Sequence, residues 1–262
     1  MFLGDLHMHS TFSDGKLTIP ELVDLFGSRG FGVIAITDHL CEQDSTIGIA
    51  ARYLNQTLTT ASFPLYTEIL RSEAERAWEK YKMVVLPGFE LTKNSISNHR
   101  SAHILGIGVS EFIRADQDAV LLARAIRAQG ALAIAAHPVH TRKSEKQTYH
   151  LWDRREELST ELDAWEVASG PYIFEQVFHS GLPMVASGDL HRPEQMTSWK
   201  TVFDCERHPE AILEAIRKQE LSFKFYEECP RLARESVSAE REENDDDHRT
   251  IDLGAGHLPD AV

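Results

Sequence analysis

The sequence predicts an α/β fold in the form of a barrel of about seven strands. Short apolar runs of strand length alternate along the 262-residue chain with segments of helical periodicity. The runs are rich in β-branched and small residues, as is typical of parallel strands that are covered on both faces. A repeated strand–helix order of this length favours a barrel over an open sheet.

Seven apolar runs are predicted strands. In chain order they read FLGDL, FGVIAIT, MVVLPGFEL, AHILGIGV, ALAIAA, LDAWEVAS and LPMVASGD. No internal repeat accompanies them, so the strands belong to one domain and not to a series of repeated units.

Two of the intervening helices have clear boundary signals. The first begins with a capping box of Thr18 and Glu21, and Pro20 lies in its first turn. We expect this helix to stop at Gly30, and the second to stop at Gly130. The second helix places four apolar side chains on one face, at Ala119, Leu122, Ala123 and Ile126.

Composition restricts the functional classes. The formal net charge of −14 disfavours binding to long duplex nucleic acid, which needs a basic surface. Three widely spaced cysteines without a C-x-x-C pair favour a reducing cytoplasm over a disulfide framework. The first residues lack the basic start and the long apolar run of a signal peptide, and no apolar run is long enough for a membrane span. We therefore expect a cytoplasmic protein without a membrane partner.

We predict two segments, a catalytic domain at residues 1–230 and a tail at 231–262. The tail has four arginines and nine acidic residues, few aromatic residues and little periodicity, so we expect it to be flexible. Within the domain, residues 41–65 read as a long loop or an insertion with weak helical character. Residues 41–82 are the predicted place for a lid or a specificity element.

Metal-binding residue types stand at the ends of five predicted strands. The first strand leads into His7 and His9, and residues i and i+2 of a strand point to the same side. The other four strands end in similar fashion, at Asp38 and His39, at Glu90, at His137, and at Asp189 and His191. The carboxyl ends of barrel strands face one common bowl, so these side chains are expected to meet there. Buried carboxylates without partners are costly, and metal coordination removes that cost.

The motifs DLHMHSTFSDG, AITDH, GFE, HILG, AAHP and SGDLH resemble, in this order, those of the PHP (polymerase and histidinol phosphatase) family. The resemblance covers roughly residues 3–225. The positions of the nine usual ligands of the family fall here on His7, His9, Asp14, His39, Glu90, His103, His137, Asp189 and His191.

The resemblance implies a distorted (β/α)7 barrel that holds two or three divalent ions of manganese, iron or zinc. By analogy, His7, His9, Glu90 and Asp189 would hold one ion. Glu90 would bridge to a second ion with His103 and His137. The third would be held by Asp14, His39 and His191.

The expected chemistry is the hydrolysis of a phosphate monoester or of a small nucleotide-like phosphate. Metal coordination lowers the pKa of bound water toward neutrality and so supplies a hydroxide nucleophile. We assign Asp14, His191 and Asp38 to catalysis, the first two as metal ligands. Asp38 is assigned as a residue that orients a metal-binding histidine by a hydrogen bond without binding the metal itself. Asp5 could act in the same way, or it could pack at its strand.

Substrate contacts are predicted from basic residues next to the ligand motifs. Arg142 and Arg192 follow ligands within a few residues, and an arginine fork suits phosphate oxygens. Arg100, Lys93 and His140 are further candidates. The expected partner is a small phosphorylated molecule, which could be a nucleotide or a short oligonucleotide.

Two alternatives differ from phosphate-ester hydrolysis. A metallo-hydrolase of the amidohydrolase type also begins with H-x-H on a barrel, but it commonly bridges its metals with a modified lysine, where this sequence has Glu90. A metal-binding PHP module without turnover would be expected to have lost ligand positions, and all nine are filled here.

Overall fold

The computed structural model describes residues 1–95, 100–139 and 149–227, which form eleven strands and eight α-helices. The strands are β1 (Phe2–Asp5), β2 (Val33–Ile36), β3 (His39–Cys41), β4 (Val84–Lys93), β5 (Ala102–Ile107), β6 (Leu132–Ala135), β7 (Ala164–Ser169), β8 (Tyr172–Ile173), β9 (Met184–Ser187), β10 (Ser198–Phe203) and β11 (Leu221–Tyr226). The helices are α1 (Ile19–Gly27), α2 (Thr46–Tyr53), α3 (Phe63–Tyr81), α4 (Ala119–Arg127), α5 (Tyr149–Asp153), α6 (Arg155–Leu158), α7 (Glu175–Phe178) and α8 (Pro209–Lys218).

The seven predicted strands form a curled sheet in the order β1, β2, β4, β5, β6, β7, β9. Neighbours are parallel except around β5, which is antiparallel to both β4 and β6. A parallel bridge between Met8 and Leu190, just beyond β1 and β9, joins the two ends of the series. The predicted distorted (β/α)7 barrel is therefore confirmed, with one strand reversed.

Two apolar clusters cover the two faces of this sheet. One contains alternate residues such as Ile34 and Ile36 of β2 together with the buried faces of α1 and α4, so it lies between the sheet and the helices. The other contains the intervening residues, such as Val33 and Ala35, and lies on the inner face. Helix α8 also packs into the inner cluster, through Ile212, Leu213 and Ile216.

The helix signals in the sequence are matched closely. Thr18 and Glu21 form both hydrogen bonds of the capping box, and α1 ends at Gly27. The turn that follows reaches Gly30, whose φ of 79° is in the left-handed region that glycine adopts without strain. The apolar face that the sequence gives to α4 is buried in full.

The structure has more regular elements than the sequence indicates. Residues 41–65, expected to be a loop with weak helix, contain α2 and the first turn of α3. Strands β10 and β11, which are connected through α8, pair antiparallel and extend the sheet beyond β1. None of the described helices is long and apolar enough to cross a membrane. The predicted tail at 231–262 lies outside the described residues and stays a prediction.

A buried ion pair joins β1 to β10. Lys200 and Asp5 are both fully buried, and the Lys200 ammonium donates to Asp5 Oδ2 and to Ser198 Oγ. Oδ1 of Asp5 accepts hydrogen bonds from the backbone N–H groups of Gly188, at 2.8 Å, and of His7, at 3.4 Å. Asp5 therefore holds backbone next to two ligand-bearing segments, and it does not contact an imidazole ring as the sequence suggested it could.

We expect Lys200→Met to lower the free energy of unfolding by about 3–5 kcal/mol, because it leaves the Asp5 carboxylate buried without a cation. Urea unfolding followed by circular dichroism measures this change. The control is Lys224→Met, which alters the exposed register partner of Lys200 on β11 and should stay within about 0.5 kcal/mol of the wild type. Equal unfolding midpoints for the two variants would contradict the structural role of the pair.

Candidate metal centre

The predicted ligands meet at one end of the barrel. Six of them follow strands in the parallel direction: His7 and His9 come after β1, His39 after β2, His137 after β6, and Asp189 and His191 after β9. Glu90 lies within the long strand β4. The reversed direction of β5 explains His103, which stands at the beginning of its strand and so reaches the same end of the barrel.

Glu90 lies at the centre of the group and is fully buried. Its Oε1 is 2.7 Å from His103 Nδ1, 3.2 Å from His137 Nε2 and 3.6 Å from His7 Nε2. Its Oε2 is 2.7 Å from His39 Nδ1 and 3.7 Å from His9 Nε2. One carboxylate thus faces five imidazole rings, which is the geometry that a bridging ligand requires.

Asp189 approaches the same inner group from β9. Its Oδ1 is 3.3 Å from His7 Nε2 and 3.4 Å from His9 Nε2. These two ring nitrogens are themselves only 3.2 Å apart. Nitrogen lone pairs that converge on a carboxylate oxygen in this way can share a cation between them.

An outer group lies closer to solvent. Asp14 Oδ1 is 3.4 Å from His191 Nε2, 3.6 Å from His39 Nε2 and 3.8 Å from His9 Nδ1. The side chains of Asp14 and His191 are 33% and 25% exposed, whereas those of His7, His9 and Glu90 are not exposed at all. A substrate would therefore reach the centre from the side of Asp14 and His191.

The donor set fits metal ions. Oδ1 of Asp14 and Oε2 of Glu90 are buried and accept no well-aligned hydrogen bond from the described residues. The nitrogen nearest to Oε2, His39 Nδ1, also lies 2.8 Å from Thr92 Oγ1. Ligand atoms within 4.8 Å of one another form four groups in the described part of the chain: His7, His9 and Glu90; Glu90, His103 and His137; His7, His137 and Asp189; and His9, Asp14, His39 and His191.

The surrounding imidazoles hold the buried carboxylates in their charged form. Burial by itself would raise the pKa of Glu90, but His103, His39 and His7 hold it well below its ordinary value. Asp189 is likewise held well below its ordinary pKa against the effect of burial, chiefly by His7 and His9. Burial, with His39 and His191 close by, lowers the pKa of His9 to about 3, so this imidazole is neutral at pH 7.

Asp38 does not contact an imidazole directly. Its carboxylate accepts hydrogen bonds from the Ser10 backbone N–H at 2.8 Å, from Ser10 Oγ at 2.7 Å and from Ser13 Oγ at 2.6 Å. Ser13 Oγ in turn lies 3.5 Å from His9 Nδ1. The prediction that Asp38 orients a histidine is therefore revised, since Asp38 fixes the loop after β1 and reaches His9 only through Ser13.

Among the side chains that contact a ligand, Thr92, Asn94 and Glu166 were not identified from the sequence. Thr92 faces His39, Asn94 Oδ1 is 3.1 Å from His103 Nε2, and Glu166 Oε1 is 2.9 Å from His7 Nδ1. Glu166 had a usable signal, because it is a single acidic residue inside the apolar strand AWEVAS. Thr92 and Asn94 had none, since polar residues at a strand end are common.

The predicted substrate contacts have different outcomes. Arg192 is exposed directly after His191, and Arg100 is exposed just before β5. Lys93 is not available for phosphate, because its ammonium is bonded to Glu42 and to two backbone carbonyls. His140 and Arg142 lie outside the described residues.

A mixed α/β barrel with a cage of imidazoles and carboxylates at one end defines a metal-binding protein of the TIM-like class. Residues 5–125 match the model of the PHP domain, so this part of the chain is a PHP domain.

Two known proteins are similar to this chain over part of their length. A phosphoribosyl 1,2-cyclic phosphate 1,2-diphosphodiesterase of Eggerthella lenta is 30% identical over 107 residues, which cover 41% of this chain and 31% of that protein. A DNA polymerase/3′-5′ exonuclease PolX of Bacillus subtilis is 43% identical over 53 residues, 20% of this chain and 9% of that protein. The chain thus matches less than a third of the length of these relatives.

Solved structures show the same fold. A two-domain protein of Bacteroides vulgatus, described as containing a predicted PHP-like metal-dependent phosphoesterase, has a TM-score of 0.60 at 21% identity, covering 86% of this chain and 65% of that one. PsfC of Pseudomonas syringae has a TM-score of 0.53 at 13% identity, covering 92% and 98%.

Because Glu90 offers an oxygen to two of the four groups, Glu90→Gln should reduce the number of tightly bound ions per chain. The measurement is metal analysis by mass spectrometry after loading with manganese and dialysis. His179→Gln, at an exposed histidine, is the control and should bind as many ions as the wild type. A full complement of ions in Glu90→Gln would refute the bridging position of this residue.

Proposed function

We propose that this protein is a metal-dependent phosphoesterase that hydrolyses a small phosphate ester. The observation that carries the proposal is the convergence of Glu90, Asp189 and the surrounding imidazoles at one end of the barrel. The match of residues 5–125 to the PHP domain supports it. The finer question, which ester is cleaved, is addressed below by a substrate panel.

The metals would supply the reactive chemistry. Ions held by the inner groups and by the outer group would lower the pKa of coordinated water and neutralise charge on phosphoryl oxygens. Glu90 and Asp189 would hold the inner ions, and Asp14, His39 and His191 the outer one. These are the divalent ions that mixed imidazole and carboxylate donors suit: manganese, iron or zinc.

The side chains of the protein would orient the ester at the outer group. Asp14 and His191 are the most exposed of the ligands, so the phosphate would enter between them. Arg192 follows His191, and Gln195 Oε1 fixes the backbone at this point by accepting hydrogen bonds from His191 N, at 2.7 Å, and Arg192 N, at 2.9 Å. We propose that the guanidinium of Arg192, on this fixed backbone, holds a phosphate oxygen.

The substrate is proposed to be a small molecule or the end of a short oligonucleotide. The E. lenta relative is named for a cyclic phosphodiester of ribose and the B. subtilis relative for an exonuclease. Both chemistries break a phosphate–oxygen bond, and both are compatible with a metal cage that opens on one side.

Phosphate release in the presence of manganese tests the proposal. The panel is a nucleoside 3′,5′-bisphosphate, histidinol phosphate, a ribose 1,2-cyclic phosphate, a short oligonucleotide and an aryl phosphate. For the cyclic phosphate and the oligonucleotide, ring opening and chain shortening are followed by chromatography. We expect turnover of at least one compound, and Asp189→Ala should reduce the rate by at least about a hundredfold, because it removes an anchor of the inner ions.

Equal rates for Asp189→Ala and the wild type would show that any release comes from a contaminant. No turnover of any compound by a fully metal-loaded protein would favour a non-phosphate hydrolase or a metal-binding module without turnover.

Arg192→Ala should raise KM about tenfold with a smaller effect on kcat, because Arg192 contacts phosphate in the bound state as well as in the transition state. Steady-state kinetics with the best compound of the panel measures both constants. Arg71→Ala, at an exposed residue of α3, should leave both unchanged. A fall in kcat with unchanged KM would instead give Arg192 a role confined to the transition state.

A further inference from the structure

Glu166 is a buried carboxylate that lies behind the metal centre and belongs to none of the four ligand groups. Its side chain is fully buried on β7. Oε1 lies 2.9 Å from His7 Nδ1, and Oε2 accepts a 2.7 Å hydrogen bond from the backbone N–H of His137. Each oxygen therefore serves a different ligand.

The strand geometry explains how Glu166 reaches the centre. Its neighbours Trp165 and Val167 pack into the apolar cluster between the sheet and the helices. The side chain of Glu166 therefore faces the inside of the barrel. The pairing of β7 with β9 is interrupted between Glu166 and Ala168, which is the position of a β-bulge. Bulges next to active sites commonly serve to redirect a side chain.

The first contact determines which nitrogen of His7 is free. A carboxylate at Nδ1 holds a proton there, and this leaves the lone pair of Nε2 for a metal. Nε2 is the His7 atom that faces Asp189 Oδ1 and His9 Nε2. Glu166 thus selects the tautomer of His7 that can act as a ligand.

The second contact holds a strained backbone. His137 has a φ of 28°, in the left-handed region that non-glycine residues adopt at a cost. Its N–H is fixed in this conformation by Glu166 Oε2. In this conformation the Nε2 atom of the His137 ring lies 3.2 Å from Glu90 Oε1.

We propose that Glu166 is a positioning residue shared by the inner metal groups, one that sets the tautomer of His7 and the backbone of His137 at the same time. The contacts of Glu166 within the described residues go to His7 and His137 and not to the outer group of His9, Asp14, His39 and His191. The inference depends on the metal centre alone, and it holds whichever phosphate ester the protein cleaves.

The substitution Glu166→Gln tests the double role because it keeps the shape of the side chain and removes one acceptor. If the amide oxygen faces His137 N–H, the amide NH2 faces His7 Nδ1, and the imidazole proton must move to Nε2, where it blocks a metal. If the amide oxygen faces His7, the amide NH2 faces the backbone N–H of His137, and two donors then meet without an acceptor. In either orientation one inner ligand is lost.

Metal binding is the primary measurement, made by manganese titration and by mass spectrometry of the dialysed protein. We expect Glu166→Gln to bind inner ions about 10–100-fold more weakly and to keep the outer ion. Adding Asp14→Asn to this variant should then remove the outer ion as well. Glu175→Gln, at an exposed glutamate of α7, is the matched control and should bind like the wild type.

Histidine nitrogen NMR of the zinc-loaded protein gives a second measurement that a purely structural role would not change. The wild type should show His7 with a proton on Nδ1 and zinc at Nε2, and Glu166→Gln should lose this signature or lose the inner zinc. Unchanged affinity and an unchanged His7 spectrum would overturn the proposal. Equal weakening of the inner and outer ions would overturn it too, since that outcome indicates a general loss of structure.

Circular dichroism establishes that the variant is folded. Should Glu166→Gln fail to fold, Glu166→Asp replaces it, because aspartate keeps both acceptor oxygens on a shorter side chain. Weakened inner binding with a retained His7 tautomer is then the expected result. Inner affinity equal to that of the wild type would overturn the proposal.

Discussion

The burial of Glu90 is the constraint on which the rest of the structure depends. A carboxylate with no exposed surface lies where an apolar barrel meets its polar end, and its charge must be balanced there. The balance comes from five imidazole rings, two contributed by the segment after β1 and one each by three other parts of the sheet. The fold can therefore be understood as a means of bringing distant histidines to one carboxylate.

That requirement accounts for features that a regular barrel lacks. Strand β5 runs against its neighbours, and this reversal presents His103 at the start of a strand to a site otherwise built from strand ends. His137 and Asp189 adopt positive φ angles of 28° and 49°, which residues with a Cβ rarely do. Backbone strain of this kind persists where surrounding hydrogen bonds hold it, and Glu166 and Asp5 supply such bonds at or next to both residues.

Much of the fold could be predicted from the sequence, because the information lies in local patterns. Runs such as VIAI and LAIA have the length and the residue types of buried strands, and the Thr18–Glu21 box marks a helix start. Strand β10 was not predicted, because Lys200 interrupts its apolar pattern and its burial depends on Asp5, 195 residues earlier. A pairing across such a distance has no local signal.

The candidate site also contains residues that could be predicted from the sequence and residues that could not. Residues next to strand ends, such as His7 and Asp189, could be identified because the direction of a strand brings its end to the common face. The partners of the indirect contacts could not be identified, because they depend on the exact orientation of a side chain. Asp38 was expected to orient a ring and instead fixes a loop, and Glu166 was marked only as a single acidic residue in an apolar strand, without a sign of which ligand it contacts.

The bridge between Met8 and Leu190 closes the barrel. This closure, the seam, lies within the candidate metal centre. His7 and His9 flank it on one side, and Asp189 and His191 flank it on the other. The two sides are far apart in the chain, so contacts of this kind form late during folding. During synthesis the ribosome must release nearly 190 residues before the seam can close. Seven of the nine candidate ligands are synthesised before Asp189 and His191, so a nascent chain carries them unpaired until the barrel closes and completes the cage.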